Sequence, residues 1–180
     1  MKKSFGNILI SIAVCYFMAI FCHVAYAGDI RTANWNMSVE EVKKVETAVL
    51  NENLSYNTHL EYNDIMFGFN MKICYNFCDG KLCQGVISIF GIDPGHAEDV
   101  FITLKKKYGR PIISRTVFGL GDSEILLFAG KRSYIEYSHL DFSNFKVLNV
   151  LYVEKNVYEK IKHRKNEKEN KYRKKLEENF

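Results

Sequence analysis

The sequence predicts an α+β domain in which helices pack on one face of an antiparallel sheet. Two segments place apolar residues at helical spacing after recognisable capping residues, whereas seven others are short alternating or apolar runs that turn residues separate, as in strands. The predicted order is one helix, three strands, a second helix, four strands and a charged C-terminal helix. Strands that follow one another between helices are typical of α+β proteins with antiparallel sheets.

The first helix is predicted from Ser38 to about Val49. Ser38 and Glu41 have the spacing of a capping box, in which each residue's side chain accepts a hydrogen bond from the other's backbone N–H. Met37 and Val42 occupy the positions of a hydrophobic staple, which packs the residue before the cap against the helix. These features predict a helix that begins at Ser38 and carries an apolar face of valines.

Three strands are predicted next, at Leu54–Tyr62, Ile65–Cys78 and Leu82–Phe90. The first two alternate in polarity and are rich in aromatic residues. Asp79-Gly80 is a strong signal for a two-residue hairpin turn, because both residues tolerate positive φ angles. The segment is therefore predicted to form a three-stranded antiparallel meander.

Asp93 and Pro94 predict the start of the second helix, since they provide an N-cap acceptor followed by a proline in the first turn. Gly109 fits the C-terminal end of this helix, and Pro111 prevents its continuation. One side of the helix is apolar and consists of Ala97, Val100, Phe101, Leu104 and Tyr108. This apolar stripe predicts that the helix packs on the sheet.

Four further strands are predicted at Ile112–Phe118, Glu124–Ala129, Ser133–His139 and Phe145–Val153. The second and the fourth of them direct apolar side chains to both faces, whereas a sheet with one wet face alternates apolar with polar residues. Both faces of the sheet are therefore predicted to be covered, one of them by the helices. The tail, a neighbouring chain or a partner protein would cover the other.

The C-terminal tail, Asn156 to Phe180, has the composition of a helix and carries nine Lys or Arg residues against five Glu. One interpretation is a solvated helix whose first turn packs near the body. The other is a short helix that binds a partner protein or a membrane surface. The candidate interaction residues of the tail are Tyr158, Ile161, Tyr172, Leu176 and Phe180.

The N-terminus has the three parts of a secretory signal peptide. Lys2 and Lys3 precede an uncharged run from Ile8, and this run closes with the small-residue pattern Ala25-Tyr26-Ala27. Residues 1–27 are therefore predicted to be removed, which leaves a periplasmic or secreted protein. The alternative is an uncleaved membrane anchor, because an apolar run of about 20 residues can span a bilayer.

The remaining chain is predicted to form a single α+β domain over residues 28–155, followed by the tail over residues 156–180. The formal net charge is +4, but the signal and the tail hold the excess positive charge, so the domain itself is close to neutral. A nucleic-acid-binding domain needs a basic face on its folded body. The charge distribution therefore argues against a nucleic-acid binder and leaves the tail as the only basic element.

Three cysteines of the predicted domain, Cys74, Cys78 and Cys83, share one face of a hairpin if Asp79-Gly80 forms its turn. In that register Cys74 lies opposite Gly85. Cys74 and Cys78 are then about 13 Å apart along one strand, which is too far for a disulfide. The hairpin therefore permits one disulfide, between Cys83 and either Cys78 or Cys74, and leaves one thiol over.

The cysteine cluster has two other interpretations. The three thiols could stay unpaired as small apolar side chains, or they could hold a metal or a cofactor. Zinc sites favour the closer Cys-x-x-Cys spacing and need a fourth ligand, whereas the spacings here are three and four intervening residues. No metal-binding residue and no cofactor-binding residue is therefore assigned from the sequence.

No catalytic motif stands out. Gly121-Asp122-Ser123 resembles the nucleophile block of GDS-type esterases, but the Asp-x-x-His that such enzymes need later in the chain is missing. The triplet is instead typical of a turn between strands. The histidines of the predicted domain and tail are scattered over different elements and are predicted to lie at the surface: His59, His96, His139 and His163. No catalytic residue is assigned, and the protein is predicted not to be an enzyme.

Two segments resemble small secreted bacterial proteins. Trp35-Asn36-Met37-Ser38-Val39-Glu40-Glu41-Val42 resembles their Trp-Gly-Met-Ser-x-Glu-Glu-Val opening, with Asn36 in place of the glycine, and Tyr108-Gly109-Arg110-Pro111 is similar to their Tyr-Gly-x-Pro helix end. In layout, the predicted domain is also similar to the helix-on-sheet modules of β-lactamase inhibitory protein and of the lipoprotein BamE. This resemblance implies a binding or scaffold module.

These inferences lead to one functional hypothesis and one alternative. The hypothesis is an exported, non-catalytic protein-binding or scaffold module of the bacterial envelope, whose partner is an envelope protein or a second copy of the chain. Contact of the tail with a membrane surface is compatible with this hypothesis. The alternative is a thiol- or metal-dependent activity built on Cys74, Cys78 and Cys83.

Overall fold

The computed structural model describes residues 29–117, 123–142 and 145–177, so the predicted signal peptide lies outside the described residues. The helices are α1 (Val39–Val45), α2 (Pro94–Tyr108) and α3 (Lys155–Glu177), with a short 3-10 helix at Glu52–Leu54. The strands are β1 (Val49–Leu50), β2 (His59–Met66), β3 (Phe69–Cys78), β4 (Lys81–Phe90), β5 (Ile113–Val117), β6 (Ser123–Ala129), β7 (Ser133–Phe142) and β8 (Phe145–Glu154). The predicted α+β class is confirmed, and the predicted order agrees apart from the added two-residue β1 and the 3-10 helix.

The described strands form one antiparallel sheet of eight, in the order β1-β2-β3-β4-β8-β7-β6-β5. Two units of similar construction make up this sheet, α1 with β1–β4 and α2 with β5–β8. Corresponding strands begin 64 residues apart, at Val49 and Ile113, His59 and Ser123, Phe69 and Ser133, and Lys81 and Phe145. The last strand of each unit pairs with that of the other at the centre of the sheet. The two units are therefore related by an approximate two-fold axis.

The predicted capping box begins α1. The Ser38 side chain accepts a hydrogen bond from the Glu41 N–H, and the Glu41 carboxylate accepts one from the Ser38 N–H at 2.7 Å. The helix ends at Val45, earlier than the predicted end near Val49, because Glu46 takes an extended conformation. The Glu46 carboxylate accepts from the N–H groups of the next two residues, which stabilises this turn towards β1.

The second helix, α2, begins at the predicted N-cap Asp93 and ends at Gly109, whose φ angle is 84°. Glycine fits this end because it adopts positive φ without strain. The apolar stripe of α2 packs on the sheet as predicted, and the ring of Phe101 lies 6.3 Å from that of Phe128 on β6. This contact places the middle of α2 over the second unit, whereas His96 in its first turn lies 5.5 Å from Phe69 of the first unit.

The core lies between one face of the sheet and the layer formed by α1, α2 and the N-terminal segment. Tyr137 on β7 is buried in this core and donates a hydrogen bond to the Ala97 carbonyl of α2 at 3.2 Å. Ile30 of the N-terminal segment is fully buried against β4. A Cβ at Gly85 would lie only 2.6 Å from the Ile30 side chain, so the glycine permits this close approach.

The turn between β2 and β3 was predicted in the wrong place. The sequence suggested a break before Ile65, but the chain turns at Phe67-Gly68, with φ angles of 54° and 82°. Asn63 and Asp64, the polar pair within the predicted break, belong to strand β2. Turn rules favour polar residues and do not expect a bulky residue at positive φ. The turn predicted at Asp79-Gly80 is confirmed by the pairing of the flanking residues.

Candidate functional site

The face of the sheet opposite α1 and α2, here called the open face, is the candidate functional surface. At its centre β4 and β8 pair, so that Val86 lies opposite Leu151 and Phe90 lies opposite Val147. Both faces of β8 are apolar, as the sequence predicted, because Leu148 and Val150 are buried on the face that the helices cover and Val147 and Leu151 lie on the other. The open face therefore offers apolar side chains on the side of the sheet that α1 and α2 leave uncovered.

Large apolar side chains are exposed towards the margins of the open face. Ile65 on β2 is 68% exposed, Phe145 on β8 is 50% exposed and Ile113 on β5 is 38% exposed. The ring of Phe145 lies 6.4 Å from that of Phe90, which extends the apolar surface to the centre of the sheet. Exposed apolar patches of this kind mark surfaces that bind other proteins or membranes.

The first turn of α3 covers one end of the open face. The ring of Tyr158 lies 4.4 Å from that of Tyr134 on β7, and the Tyr134 hydroxyl donates a hydrogen bond to Glu159 at 3.2 Å. Val153, which pairs with Tyr134, is buried beside this contact. Beyond the first turn, the helix side chains at positions 159–174 are exposed. The tail therefore covers part of the open face and then extends away from it.

The tail residues predicted to interact do not come together in the structure. Tyr158 packs on the sheet, whereas Ile161 is 54% exposed and Tyr172 is also exposed. The side chain of Leu176 and the whole of Phe180 lie outside the described residues. No described helix has an apolar stretch long enough to cross a bilayer.

Cys78 and Cys83 form a disulfide across the β3–β4 hairpin, with their Cα atoms 5.7 Å apart. This is one of the two pairings predicted from the sequence. The predicted register fails beyond the turn, because Cys83 is an extra residue in a β-bulge, and Cys74 consequently lies opposite Val86 and not opposite Gly85. Among the described cysteines, Cys74 keeps a free thiol.

Cys74 is half-buried and faces a carboxylate. Its Sγ lies 4.0 Å from Oε2 of Glu61, which is the paired residue on β2, and the other carboxylate oxygen of Glu61 accepts from Lys72 at 3.0 Å. Burial raises the pKa of the Cys74 thiol, the charge of Glu61 raises it further, and Lys72 opposes the effect. The thiol is therefore protonated at neutral pH, which disfavours its use as a nucleophile.

His59, predicted to be a surface histidine, joins this group. One ligand atom each of His59, Glu61 and Cys74 lies within 4.8 Å of the other two. The sequence does not predict this group, because the group depends on the pairing of β2 with β3, and the turn that connects these strands lies elsewhere than predicted. The available signal was the alternation of polar residues in His59-x-Glu61 and Cys74-x-Asn76, since alternate residues share a sheet face.

The other predicted surface histidines lie on different elements, with His96 on α2, His139 on β7 and His163 on α3. His96 is half-buried and pairs with Asp93 at 2.7 Å. Two residues of the Gly121-Asp122-Ser123 triplet lie outside the described residues. The structure therefore gathers only His59, of the four histidines, with the cysteines.

Comparison of the chain with protein-family models, with curated proteins and with solved structures finds no match.

Proposed function

We propose that this protein is an exported, non-catalytic binding module that holds a protein partner on the open face of its sheet. The observation that carries the proposal is the apolar character of that face, with Val86, Phe90 and Leu151 half-buried at its centre. A partner that covers these side chains removes apolar surface from water, at about 25 cal/mol per Å². A binding surface with an apolar core and a polar rim is the usual anatomy of a protein interface.

The disulfide supports the export part of the proposal. An intramolecular disulfide such as Cys78–Cys83 is compatible with an oxidising environment outside the cytoplasm, where such bonds persist. The basic, apolar and small-residue parts of the first 27 residues are independent support. A periplasmic or secreted location agrees with both observations.

The charge beside the open face favours an acidic partner. α3 starts at one end of this face, and its exposed positions 159–174 carry far more Lys and Arg than Glu. A partner with an apolar ridge and a neighbouring acidic surface would match the face and the basic helix together. A second copy of the chain would bring another basic helix to the same place, and the two like charges would repel.

Substitution of exposed open-face residues tests the proposal. Ile113→Asp and Phe145→Asp should each weaken partner binding by about tenfold or more, because each removes an apolar contact and places a charge in the interface. Ile102 on α2 is a matched control, since it is as exposed as Ile113, at 38%, but lies outside the open face. Cross-linking in the intact envelope would identify the partner, and calorimetry with the two purified proteins would then measure the affinities.

Three results would separate the alternatives. Loss of affinity in the open-face variants, with the affinity of Ile102→Asp unchanged and binding weakened by salt, would support the proposal. Equal affinities for all variants would contradict it. A concentration-dependent homodimer that the open-face substitutions disrupt would also contradict it, because the occupant would then be a second copy of the chain.

A further inference from the structure

We propose that His59, Glu61 and Cys74 bind a transition-metal ion, for which Zn²⁺ is the best fit. These residues lie on the adjacent strands β2 and β3 on the open face, where Glu61 pairs with Cys74, and one ligand atom of each is within 4.8 Å of the other two. Zinc bonds to nitrogen, oxygen and sulfur are about 2.0–2.3 Å long, so small side-chain rotations bring the three atoms to a common ion. Imidazole nitrogen, carboxylate oxygen and thiolate sulfur are all established zinc ligands.

The two carboxylate oxygens of Glu61 have separate surroundings. Oε1 accepts hydrogen bonds from Lys72 at 3.0 Å and from Asn51 at 3.3 Å, whereas Oε2 faces the Cys74 sulfur at 4.0 Å. Glu61 is only 8% exposed, so these contacts hold its carboxylate in one orientation. One oxygen is thus anchored and the other is directed towards the proposed ion, as in metal sites whose ligands are oriented by a second layer of hydrogen bonds.

A second hydrogen-bond chain orients His59. The Asn76 side chain donates from Nδ2 to Gln84 at 3.3 Å, which leaves its Oδ1 as the acceptor 2.7 Å from Nδ1 of His59. In the neutral tautomer that donates from Nδ1 to Asn76, the lone pair lies on Nε2, which is where a metal ion would bind. The Tyr56 ring stacks on the imidazole at 5.3 Å and restricts its rotation.

The second unit of the sheet provides an internal comparison. The positions 64 residues after the three proposed ligands hold Ser123, Ile125 and Ser138, and Ile125 pairs with Ser138 as Glu61 pairs with Cys74. The same architecture therefore forms without a histidine, a carboxylate or a thiol at these positions. The fold does not require the three polar ligands in the first unit, which favours a role in binding.

The disulfide defines which cysteine takes part. Cys78 and Cys83 are bonded to each other, so the ligand set contains Cys74 alone and differs from the three-cysteine site considered from the sequence. When the zinc–sulfur bond forms, the thiol proton passes to solvent. Three protein ligands leave a fourth coordination position, which a water molecule would occupy on this partly exposed face.

Metal titration of the mature protein, with its disulfide intact, tests the proposal. The protein is freed of metal with a chelator and titrated with Zn²⁺ by calorimetry and with Co²⁺ by absorption spectroscopy. We expect one ion per chain and a thiolate-to-cobalt charge-transfer band. Cys74→Ser should abolish this band, and Cys74→Ser, His59→Ala and Glu61→Gln should each weaken binding at least tenfold. Asn76→Ala should weaken it about 10- to 100-fold, because Asn76 orients a ligand.

His96→Ala is the matched control, because His96 lies beside a carboxylate as well but outside the proposed site. Thermal melts of the metal-free variants would establish that each is folded. The proposal is overturned if Cys74→Ser binds zinc as the unmodified protein does, or if the cobalt complex lacks the thiolate band. It is also overturned if His96→Ala abolishes the binding, because the ion would then be bound by His96 and Asp93. A dimer linked through Cys74 in the purified protein would also overturn it, because the thiol would then be consumed.

Discussion

Tyr75 and Glu46 form a buried polar contact between the sheet and the end of α1. Tyr75 is fully buried on β3, and its hydroxyl donates a hydrogen bond to Oε2 of Glu46 at the end of α1. Arg31 lies 3.5 Å from the same oxygen, so the buried carboxylate has a positive neighbour. A buried charge is tolerated only when it is paired and hydrogen-bonded, and this contact meets that requirement. The hydrogen bond therefore holds the end of α1 on the sheet.

Tyr75→Phe should destabilise the protein. The substitution leaves one oxygen of the Glu46 carboxylate without its buried donor, and hydrogen bonds to charged groups contribute about 1.5–3 kcal/mol. We expect a loss of this size in the free energy of unfolding, measured by urea denaturation. Tyr56→Phe is the control, because Tyr56 is 64% exposed and should change stability by no more than about 0.5 kcal/mol. Equal stabilities of the two variants would contradict this assignment.

At the scale of elements, the sequence predicts well where local chemistry decides the structure. The capping box at Ser38, the N-cap at Asp93 and the turn at Asp79-Gly80 are all confirmed, because each depends on contacts within a few residues. The strands are predicted for a related reason, since the alternation of apolar residues records which face of the sheet is buried. Local rules therefore predict most of the secondary structure.

Features that depend on tertiary contacts are not predicted. The turn at Phe67-Gly68 uses a bulky residue at positive φ, and the bulge at Cys83 has no sequence signal of its own. Both change which residues face each other across strands. The group formed by His59, Glu61 and Cys74 depends on this pairing, so the sequence revealed its cysteine but not its other two members.

The tail helix α3 provides a test at the element scale. A chain that ends before Asn156 lacks the stacking of Tyr158 on Tyr134, so its free energy of unfolding should fall by about 1–2 kcal/mol. A chain that ends before Asn166 should keep its stability, because the helix side chains at 166–174 are exposed. Thermal melts of the two truncated proteins measure both effects.

Tyr158→Ala is the matched variant for the truncations, since it removes the stacked ring and keeps the helix. It should reproduce most of the loss seen in the shorter chain. An equal loss in the chain that ends before Asn166 would show instead that the distal part of α3 stabilises the body.

At the scale of the whole molecule, the two units depend on each other. Their last strands, β4 and β8, pair along the centre of the sheet, and a single apolar core includes residues of both units. A separated unit would expose the edge of a long strand, which is unfavourable and promotes aggregation. Because β4 and β8 pair at the centre of the sheet, the open face spans both units, and a partner bound there would contact strands of both.

Buried tyrosines of the shared core should make the protein less stable at alkaline pH. Burial raises the pKa of Tyr62 and of Tyr137, one tyrosine from each unit, to about 12 from an ordinary value of 10.0. The folded protein thus holds these protons more tightly than the unfolded chain does. Their contribution to stability is complete below pH 10 and is lost as the pH rises through 12, so the free energy of unfolding should fall across this window.

Urea denaturation at a series of pH values measures this fall. Tyr137→Phe should be less stable at neutral pH, because it loses the hydrogen bond to the Ala97 carbonyl, but its stability should decline less steeply above pH 10, since phenylalanine does not titrate. Tyr172→Phe, at an exposed position of α3, should follow the unmodified protein throughout. Lysine deprotonation also affects stability in this range, but all three proteins share it. The difference between the slopes of unfolding free energy against pH therefore measures the contribution of Tyr137. Parallel plots for Tyr137→Phe and the unmodified protein would show that ionisation of Tyr137 does not cause the loss of stability at high pH.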